Sequence, residues 1–164
     1  MTLEEQVIDV LKNNSRITNK SISEQLNVTE EKINKCIQNL EKNKIVLKYS
    51  AIIDESKFKK QQSKIKALIE ICVRPEKNKG FFSVAKRISK YPEVKALYLI
   101  SGNYDYLIVV EGYSLEEISN FVSLKLATIE NVKSTATHFI MKKYKENGIS
   151  YDNDEDISRP IISL

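Results

Sequence analysis

One segment, Ala96–Val110 (A-L-Y-L-I-S-G-N-Y-D-Y-L-I-V-V), most constrains the fold of this chain. Two runs with strong β preference flank Gly102-Asn103-Tyr104-Asp105, four residue types suited to a tight turn. The pattern predicts a β-hairpin, and because its strands are almost entirely apolar we expect it to lie in the middle of a sheet. A carboxylate beside such strands must find a hydrogen-bond donor or face water, which makes Asp105 a candidate functional residue.

The residues around this hairpin predict the other elements of an α+β domain. Ile65–Val73 is typical of a strand, and Val132–Met141 predicts a final strand with Thr135, Thr137, Phe139 and Met141 on one side. Two helices are also expected. The first carries Phe81, Ala85 and Ile88 and stops before Pro92; the second opens with a Ser114/Glu117 capping box and turns Leu115, Ile118, Phe121, Val122 and Leu126 inward. The order βαββαβ is ferredoxin-like, with both helices on one face of a four-stranded sheet and the other face open to a partner.

The first third of the chain predicts a separate helical unit. Thr2 and Glu5 form a capping box for a helix ending near Asn13, and a short second helix follows Thr18. Asn27 tolerates a left-handed turn, and Thr29 is a suitable N-cap for a third helix with Ile33, Cys36, Ile37 and Leu40 in its buried stripe. The loose alternation of Ile45–Ile53 predicts one or two short strands.

Length and composition place these elements in two small domains. The chain has 164 residues, a formal charge of +4 and 41% hydrophobic residues, as expected for a soluble globular protein. No apolar run approaches the roughly 20 residues needed to cross a bilayer, and the N-terminus lacks signal-peptide features, so we expect a cytoplasmic location and no membrane partner. Cys36 and Cys72 are interpreted as buried free thiols. The expected boundaries are 1–53 for the helical domain, 54–63 for a linker, 64–145 for the α+β domain and 146–164 for a polar tail.

Helices two and three, with the short turn between them, form a helix-turn-helix candidate. The third helix would enter the major groove of double-stranded DNA, where amide side chains pair with adenine edges and lysines reach guanine or phosphates. The candidate DNA-contacting residues are Thr18, Asn19, Lys20, Thr29, Glu31, Lys32, Asn34, Lys35, Gln38, Asn39 and Lys42. The alternative interpretation is an ordinary three-helix bundle with a solvated charged face.

The two halves together resemble the Lrp/AsnC family, the feast/famine transcription regulators. The matching segments are S-R-I-T-N-K-S-I-S-E-Q-L at 15–26, T-E-E-K-I at the start of the third helix, Y-S-A-I-I-D at 49–54, S-G-N-Y-D-Y-L-I at 101–108 and V-K-S-T-A-T-H-F-I-M at 132–141. The resemblance implies a winged helix-turn-helix joined to a ferredoxin-like RAM domain. It also implies homodimers formed through the sheet, which commonly assemble into octamers, and a small effector, usually an amino acid, bound between subunits near the hairpin turn.

By this resemblance, the effector-binding candidates are Ser101, Gly102, Asn103, Tyr104 and Asp105, with Thr135 and Thr137 from the last strand. A turn glycine exposes backbone amides to a carboxylate, and Asp105 would hold an α-ammonium group. The alternative role for Asp105 is a structural turn cap. The third helix has Cys36, Gln38 and Asn39 where the family usually has arginines, which predicts fewer phosphate contacts and a flatter salt dependence.

Other classes of function have less support in the sequence. An enzyme would need convergent titratable groups, and the single histidine, His138, is accompanied by no nucleophile motif, phosphate loop or zinc motif, so we expect no cofactor, metal or catalytic residue. A metabolite sensor that acts on a protein partner with weakened or lost DNA binding is the principal alternative. A nonspecific DNA-packing protein is less consistent with a charge of only +4.

Overall fold

The structure is a computed structural model that describes residues 1–54, 57, 64–74 and 81–151. It divides into two compact units, residues 1–53 and 54–164. Most of the expected linker and residues 152–164 of the expected tail lie outside the described residues. Within the described ranges, no helix combines the length and apolar character needed to cross a membrane.

The first unit contains three helices, α1 (Leu3–Asn13), α2 (Asn19–Leu26) and α3 (Glu30–Lys42), which confirms the three predicted from the sequence. The predicted capping box at the start of α1 is present, because Thr2 and Glu5 bond each other's backbone N–H groups. A single apolar cluster joins the helices; its buried members are Val7, Ile22, Ile33, Cys36 and Leu40. Burying such side chains contributes roughly 1.5–3 kcal/mol each. Because the cluster has members on all three helices, it holds α2 and α3 at a fixed relative angle.

The strands predicted for Ile45–Ile53 are wrong: the described chain has no strand there. Lys44 adopts a left-handed conformation with φ of 57°, and the chain turns back so that Val46 packs against the helices. A strand needs a partner for its backbone groups, and the described residues of this unit supply none beside this segment. Its side chains Leu47 and Ile53 are consequently exposed.

The second unit is built on an antiparallel sheet of β1 (Ile65–Val73), β2 (Val94–Leu99), β3 (Tyr106–Gly112) and β4 (Val132–Phe139) in the order β2-β3-β1-β4. This confirms the ferredoxin-like prediction, with two corrections. Only β3 of the predicted hairpin is central, whereas β2 lies at the edge with Leu99 exposed. The last strand ends at Phe139, and Met141 is 94% exposed because it lies beyond the pairing with β1.

Two helices cover one face of this sheet: α4 (Phe82–Ile88) and α5 (Leu115–Asn120), which continues as a π-helical turn, Phe121–Leu126. Ile118, Phe121 and Leu126 are buried against the strands as predicted, but Leu115 is exposed, because the first turn of α5 projects beyond the core. The Ser114 hydroxyl accepts the Glu117 N–H, as expected for an N-cap. The Glu117 carboxylate accepts from the Tyr113 N–H rather than from the Ser114 N–H, so the predicted capping box is incomplete.

The opposite face of the sheet carries the alternate residues of each strand. Leu68, Cys72, Leu107 and Val109 are only half-buried there, and Tyr98 is exposed. Both cysteines are free thiols as predicted, but only Cys36 is buried, and its burial raises the pKa of the Cys36 thiol. We call this surface the open face; its apolar residues flank Glu70 of β1, which pairs with Leu107 and lies 3.4 Å from His138 of β4.

A short hairpin, β5 (Lys145–Glu146) and β6 (Ile149–Ser150), runs across the boundary expected at residue 145 and contacts one end of the open face. The Lys66 ammonium lies 3.2 Å from both the Glu111 and the Glu146 carboxylates, and Lys143 lies 2.6 Å from Glu146. The hydrogen bond from Lys143, with that from Lys66, lowers the pKa of Glu146 although burial opposes the charged form. Burial also opposes the charge on Lys66, but its two carboxylate partners outweigh burial and raise its pKa.

These shifts predict acid-dependent docking of the β5–β6 hairpin. A carboxylate whose pKa is lower in the folded than in the unfolded state stabilises the fold at pH values above its unfolded-state pKa, which is near 4.3 for glutamate. This stabilisation is lost as the pH falls through the folded-state pKa. We expect hydrogen-exchange protection of residues 145–151 to fall below about pH 4 in the parent chain. Glu146→Gln should show the weaker protection already at pH 7, whereas the exposed control Glu116→Gln should not. The same acid dependence in Glu146→Gln and the parent would contradict this role of Glu146.

Candidate DNA-contacting and effector sites

Local capping sets the geometry of the helix-turn-helix. The Thr18 hydroxyl accepts the Ser21 N–H at 3.1 Å and fixes the start of α2, and Asn27 ends it with φ of 53°, the left-handed turn predicted from the sequence. Thr29 occupies the N-cap position of α3, where its backbone carbonyl rather than its side chain accepts from Lys32 and Ile33. Both helices therefore start at defined residues, and at α2 the Thr18 side chain satisfies the Ser21 amide.

The predicted DNA-contacting residues of α3 lie on its outer surface. Glu31, Lys35, Gln38 and Lys42 recur at helical spacing opposite the buried residues of the helix, and all four are exposed. The remaining α3 candidates, Lys32, Asn34 and Asn39, are exposed on the two flanks, and Thr18, Lys20 and Thr29 are exposed near the helix starts. We call the Glu31, Lys35, Gln38 and Lys42 set the outer stripe.

The outer stripe has little excess positive charge. Lys35 lies 2.8 Å from the Glu31 carboxylate one turn earlier, and α3 contains three lysines and three glutamates. Across residues 1–53 there are eight basic and seven acidic side chains. Few cations are therefore available for phosphates, and any contact of this surface with DNA would depend mainly on its amide and lysine side chains.

A side-chain hydrogen bond joins α2 to α3. The side-chain amide Nδ2 of Asn19, the first residue of α2, donates to the side-chain oxygen Oδ1 of Asn34 on α3. Asn19 is half-buried and Asn34 is exposed, so the two predicted DNA-contacting residues differ in accessibility.

The predicted effector loop is longer than the expected four-residue turn and spans residues 100–105 between β2 and β3. Asp105 anchors it: its carboxylate accepts the Val73 N–H at 2.7 Å and its own N–H donates to the Ile71 carbonyl at 3.0 Å. Asp105 therefore ties the loop to the neighbouring strand β1 through Val73, which differs from the cap of its own turn that the sequence left open as an alternative. Burial raises the pKa of the neighbouring Tyr106, and the negative charge of Asp105 raises that pKa further.

The other loop residues lie at the surface near the end of β1. Ser101, Gly102 and Asn103 are exposed, and Tyr104 is half-buried. Gly102 has φ of +157°, a conformation that favours glycine, and open space surrounds it. The Cys72 thiol lies 3.7 Å from the Asn103 carbonyl oxygen. These contacts hold the loop beside β1, with Ser101, Gly102 and Asn103 exposed.

The structure does not place the two threonines in contact with this loop. Thr135 and Thr137 pair with Ile71 and Ile69 of β1, so β1 separates them from β3 and its loop. Two strand spacings amount to roughly 10 Å, which exceeds the reach of a threonine hydroxyl. Within one subunit these side chains therefore lie on the far side of β1 from Asp105.

Sequence reasoning missed two cations at this end of the sheet. Arg74 and Lys133, with Asn131 and Val132, line an open depression of about 460 Å³. Arg74 directly follows Val73, whose N–H binds Asp105, and the Arg74 N–H donates to the Asn131 carbonyl at 2.8 Å. No spacing rule could have revealed this pair, because β1 and β4 meet only in the folded sheet.

Comparison with known proteins identifies both halves. Residues 2–46 match the family described as winged helix-turn-helix DNA-binding, and residues 66–149 match the Lrp/AsnC ligand binding domain. The chain belongs to the Lrp/AsnC family. It is a DNA-binding transcriptional regulator with a ligand-binding domain, and it is not an enzyme.

Individual relatives extend along nearly the whole chain. It is 37% identical over 160 residues to YugG of Bacillus subtilis, an uncharacterised HTH-type transcriptional regulator, covering 98% of this chain and 96% of that protein. The AsnC structure from E. coli aligns with a TM-score of 0.68 at 19% identity, covering 88% and 93% of the two chains. A Neisseria meningitidis regulator solved with L-Met has a TM-score of 0.68 at 22% identity, covering 94% of this Lrp/AsnC chain and 98% of its own. Among the described residues, no group of three or more His, Cys, Asp or Glu side chains is arranged to hold a metal ion.

Proposed function

We propose that this Lrp/AsnC protein is a sequence-specific regulator in the cytoplasm whose binding to DNA is controlled by an amino acid. The observation that carries the DNA half is the outer stripe: α3 turns Lys35 and Gln38 outward, opposite its buried residues, in a unit that matches DNA-binding domains. Lysine and glutamine supply the donors and acceptors that distinguish base edges in the major groove.

The effector half is supported by complementary charges at one end of the sheet. Asp105 offers a carboxylate oxygen for an α-ammonium group, while the amides around Gly102 and the cations Arg74 and Lys133 suit an α-carboxylate. A relative crystallised with L-Met is consistent with an amino acid as the ligand class. Ser101, Asn103, Tyr104, Thr135 and Thr137 remain proposed members of the site, the threonines contributed by a neighbouring subunit.

The open face supports assembly of the regulator as a homodimer, with dimers associating further into an octamer. Its apolar residues Leu68, Leu107 and Val109 are not covered by the described helices of the second unit, which pack on the other face. Two such faces placed together would bury these side chains in the manner of an ordinary dimer interface, about 800 Å² per subunit. The spacing of the two DNA-binding units would then respond to a ligand between subunits.

This assembly predicts a large effect of one charge on the open face. We expect Leu107→Lys to lower the mass measured by light scattering to that of a single subunit, because a face-to-face dimer would bury the ammonium group. Residue 107 is only half-buried in the single subunit, so the folded monomer should accept the lysine. The control Leu124→Lys, at a residue 70% exposed on the helix side, should retain the parent mass. An unchanged mass for both variants would contradict dimerisation through this face.

The function itself is tested by titrating the protein against the DNA upstream of its own gene and a scrambled duplex of equal composition. Affinity is measured over a range of salt concentrations and in the presence of each of the twenty amino acids. We expect tighter binding to the native duplex, a shallow salt dependence and a change in affinity with one class of amino acid. Equal binding to both duplexes would contradict sequence-specific recognition at this site.

A second candidate is a metabolite sensor that acts on a protein partner. It is favoured by the near-neutral charge of residues 1–53, which is low for a unit that binds phosphates. Failure to select any duplex from a randomised pool, together with amino-acid binding to the protein alone, would support this candidate over the first.

A further inference from the structure

The hydrogen bond between Asn19 and Asn34 connects the beginning of α2 to the outward side of α3. It joins two side chains of different helices whose relative angle is already fixed by the buried cluster around Ile22 and Ile33. Because both backbones are held, the bond acts on the orientation of the two carboxamides rather than on the packing of the helices.

Their accessibility separates the roles of the two residues. Asn34 is exposed and lies one turn before Gln38 of the outer stripe, where a base edge would be reached. Asn19 is half-buried behind it, at a position fixed by the Thr18 cap. The bond occupies one lone pair of the Asn34 carbonyl oxygen and leaves its second lone pair and both N–H donors for DNA.

We propose that Asn19 is a positioning residue that fixes the carboxamide plane of Asn34 for base readout; this rests on the proposed function of α3. A base edge that is recognised by an amide needs the carboxamide in one plane and one orientation. A free exposed asparagine rotates about two side-chain bonds and loses that freedom on binding, whereas Asn34 is already oriented. Asn19 thereby contributes to specificity without touching a base.

The experiment begins with duplexes selected from a randomised pool by the parent protein. Dissociation constants are then measured for the best duplex and its single-base-pair variants with the parent, Asn19→Ala, Asn34→Ala and the double variant. Asn39→Ala, an exposed amide on the opposite flank of α3, is the matched control. Thermal unfolding of each variant shows whether the fold is retained.

We expect Asn34→Ala to lower discrimination at one base pair by roughly tenfold, and Asn19→Ala to lower it at the same base pair by a smaller factor. The double variant should match Asn34→Ala alone, because Asn19 acts only through Asn34. Asn39→Ala should leave discrimination at that base pair unchanged and combine additively with Asn19→Ala.

Three outcomes overturn the proposal. If Asn19→Ala weakens all duplexes equally and adds to Asn34→Ala, Asn19 contacts phosphate instead. If Asn19→Ala leaves every base preference unchanged, the bond has no role in readout. If the parent selects no sequence at all, both sequence-specific binding and the positioning role are contradicted. This result is obtained with the parent alone, before any variant is measured.

Discussion

Replacing Asp105 with asparagine is expected to abolish the amino-acid response while leaving the fold and basal DNA binding intact. Asparagine retains an oxygen that can accept the Val73 N–H, which Asp105 binds at 2.7 Å, but it lacks the negative charge that would hold an α-ammonium group. Asp105→Ala removes both contributions. We expect it to lose the response and also to destabilise the chain by roughly 1–3 kcal/mol, because it leaves a backbone donor unpaired.

The comparison of these two variants separates the anchoring of the loop from ligand binding. Thermal unfolding reports the first role, and the shift of DNA affinity with the effective amino acid reports the second. Glu116→Gln removes one exposed carboxylate from the same unit and should change neither quantity. An intact amino-acid response in Asp105→Asn would exclude its charge from the effector site and leave Asp105 a purely structural residue.

The second large effect is expected on the outer stripe of α3. Replacing Lys35 and Gln38 together with alanine should weaken binding to a selected duplex by roughly 10- to 100-fold, while binding to unrelated DNA falls much less. Both side chains point away from the buried cluster, so the helix should remain folded. In the parent chain the Lys35 ammonium group lies 2.8 Å from the Glu31 carboxylate, and the substitution removes this ion pair.

The matched control replaces Lys32 and Asn39, which lie on a flank of α3. It also removes one lysine and one carboxamide, so the change in charge is identical and the salt slope should fall by about one in both double variants. We expect this control to weaken selected and unrelated duplexes by similar factors. Identical behaviour of the two double variants would show that α3 contributes charge but no base readout from its outer stripe.

The accuracy of the sequence predictions follows the range of the interactions involved. Helices α1, α2 and α3 were predicted correctly because Thr2, Thr18 and Asn27 act on backbone groups within a few residues. The edge position of β2 was missed, since an apolar strand has the same sequence pattern at the edge and at the centre. The segment Ile45–Ile53 alternates like a strand but has no strand partner among the described residues.

The candidate sites also contain residues that local sequence rules predict and residues that only the fold brings together. The loop around Asp105 and the outward residues of α3 could be predicted from turn chemistry and helical spacing, which are local. Arg74 and Lys133 could not, because they approach through strand pairing. By resemblance, Thr135 and Thr137 are predicted members of a cleft between subunits, and the register places them on the far side of β1 from the loop of their own subunit.

The sequence by itself determined the two-unit organisation of an Lrp/AsnC regulator, its helix-turn-helix and its βαββαβ order, because caps, turns and periodic apolar residues act over short distances. Only the tertiary structure decided that Asp105 binds the Val73 N–H, that Asn19 holds Asn34, and that Lys66 holds the β5–β6 hairpin. These contacts join residues far apart along the chain. Their geometry depends on strand order, register and helix packing, which emerge only when the whole core is buried.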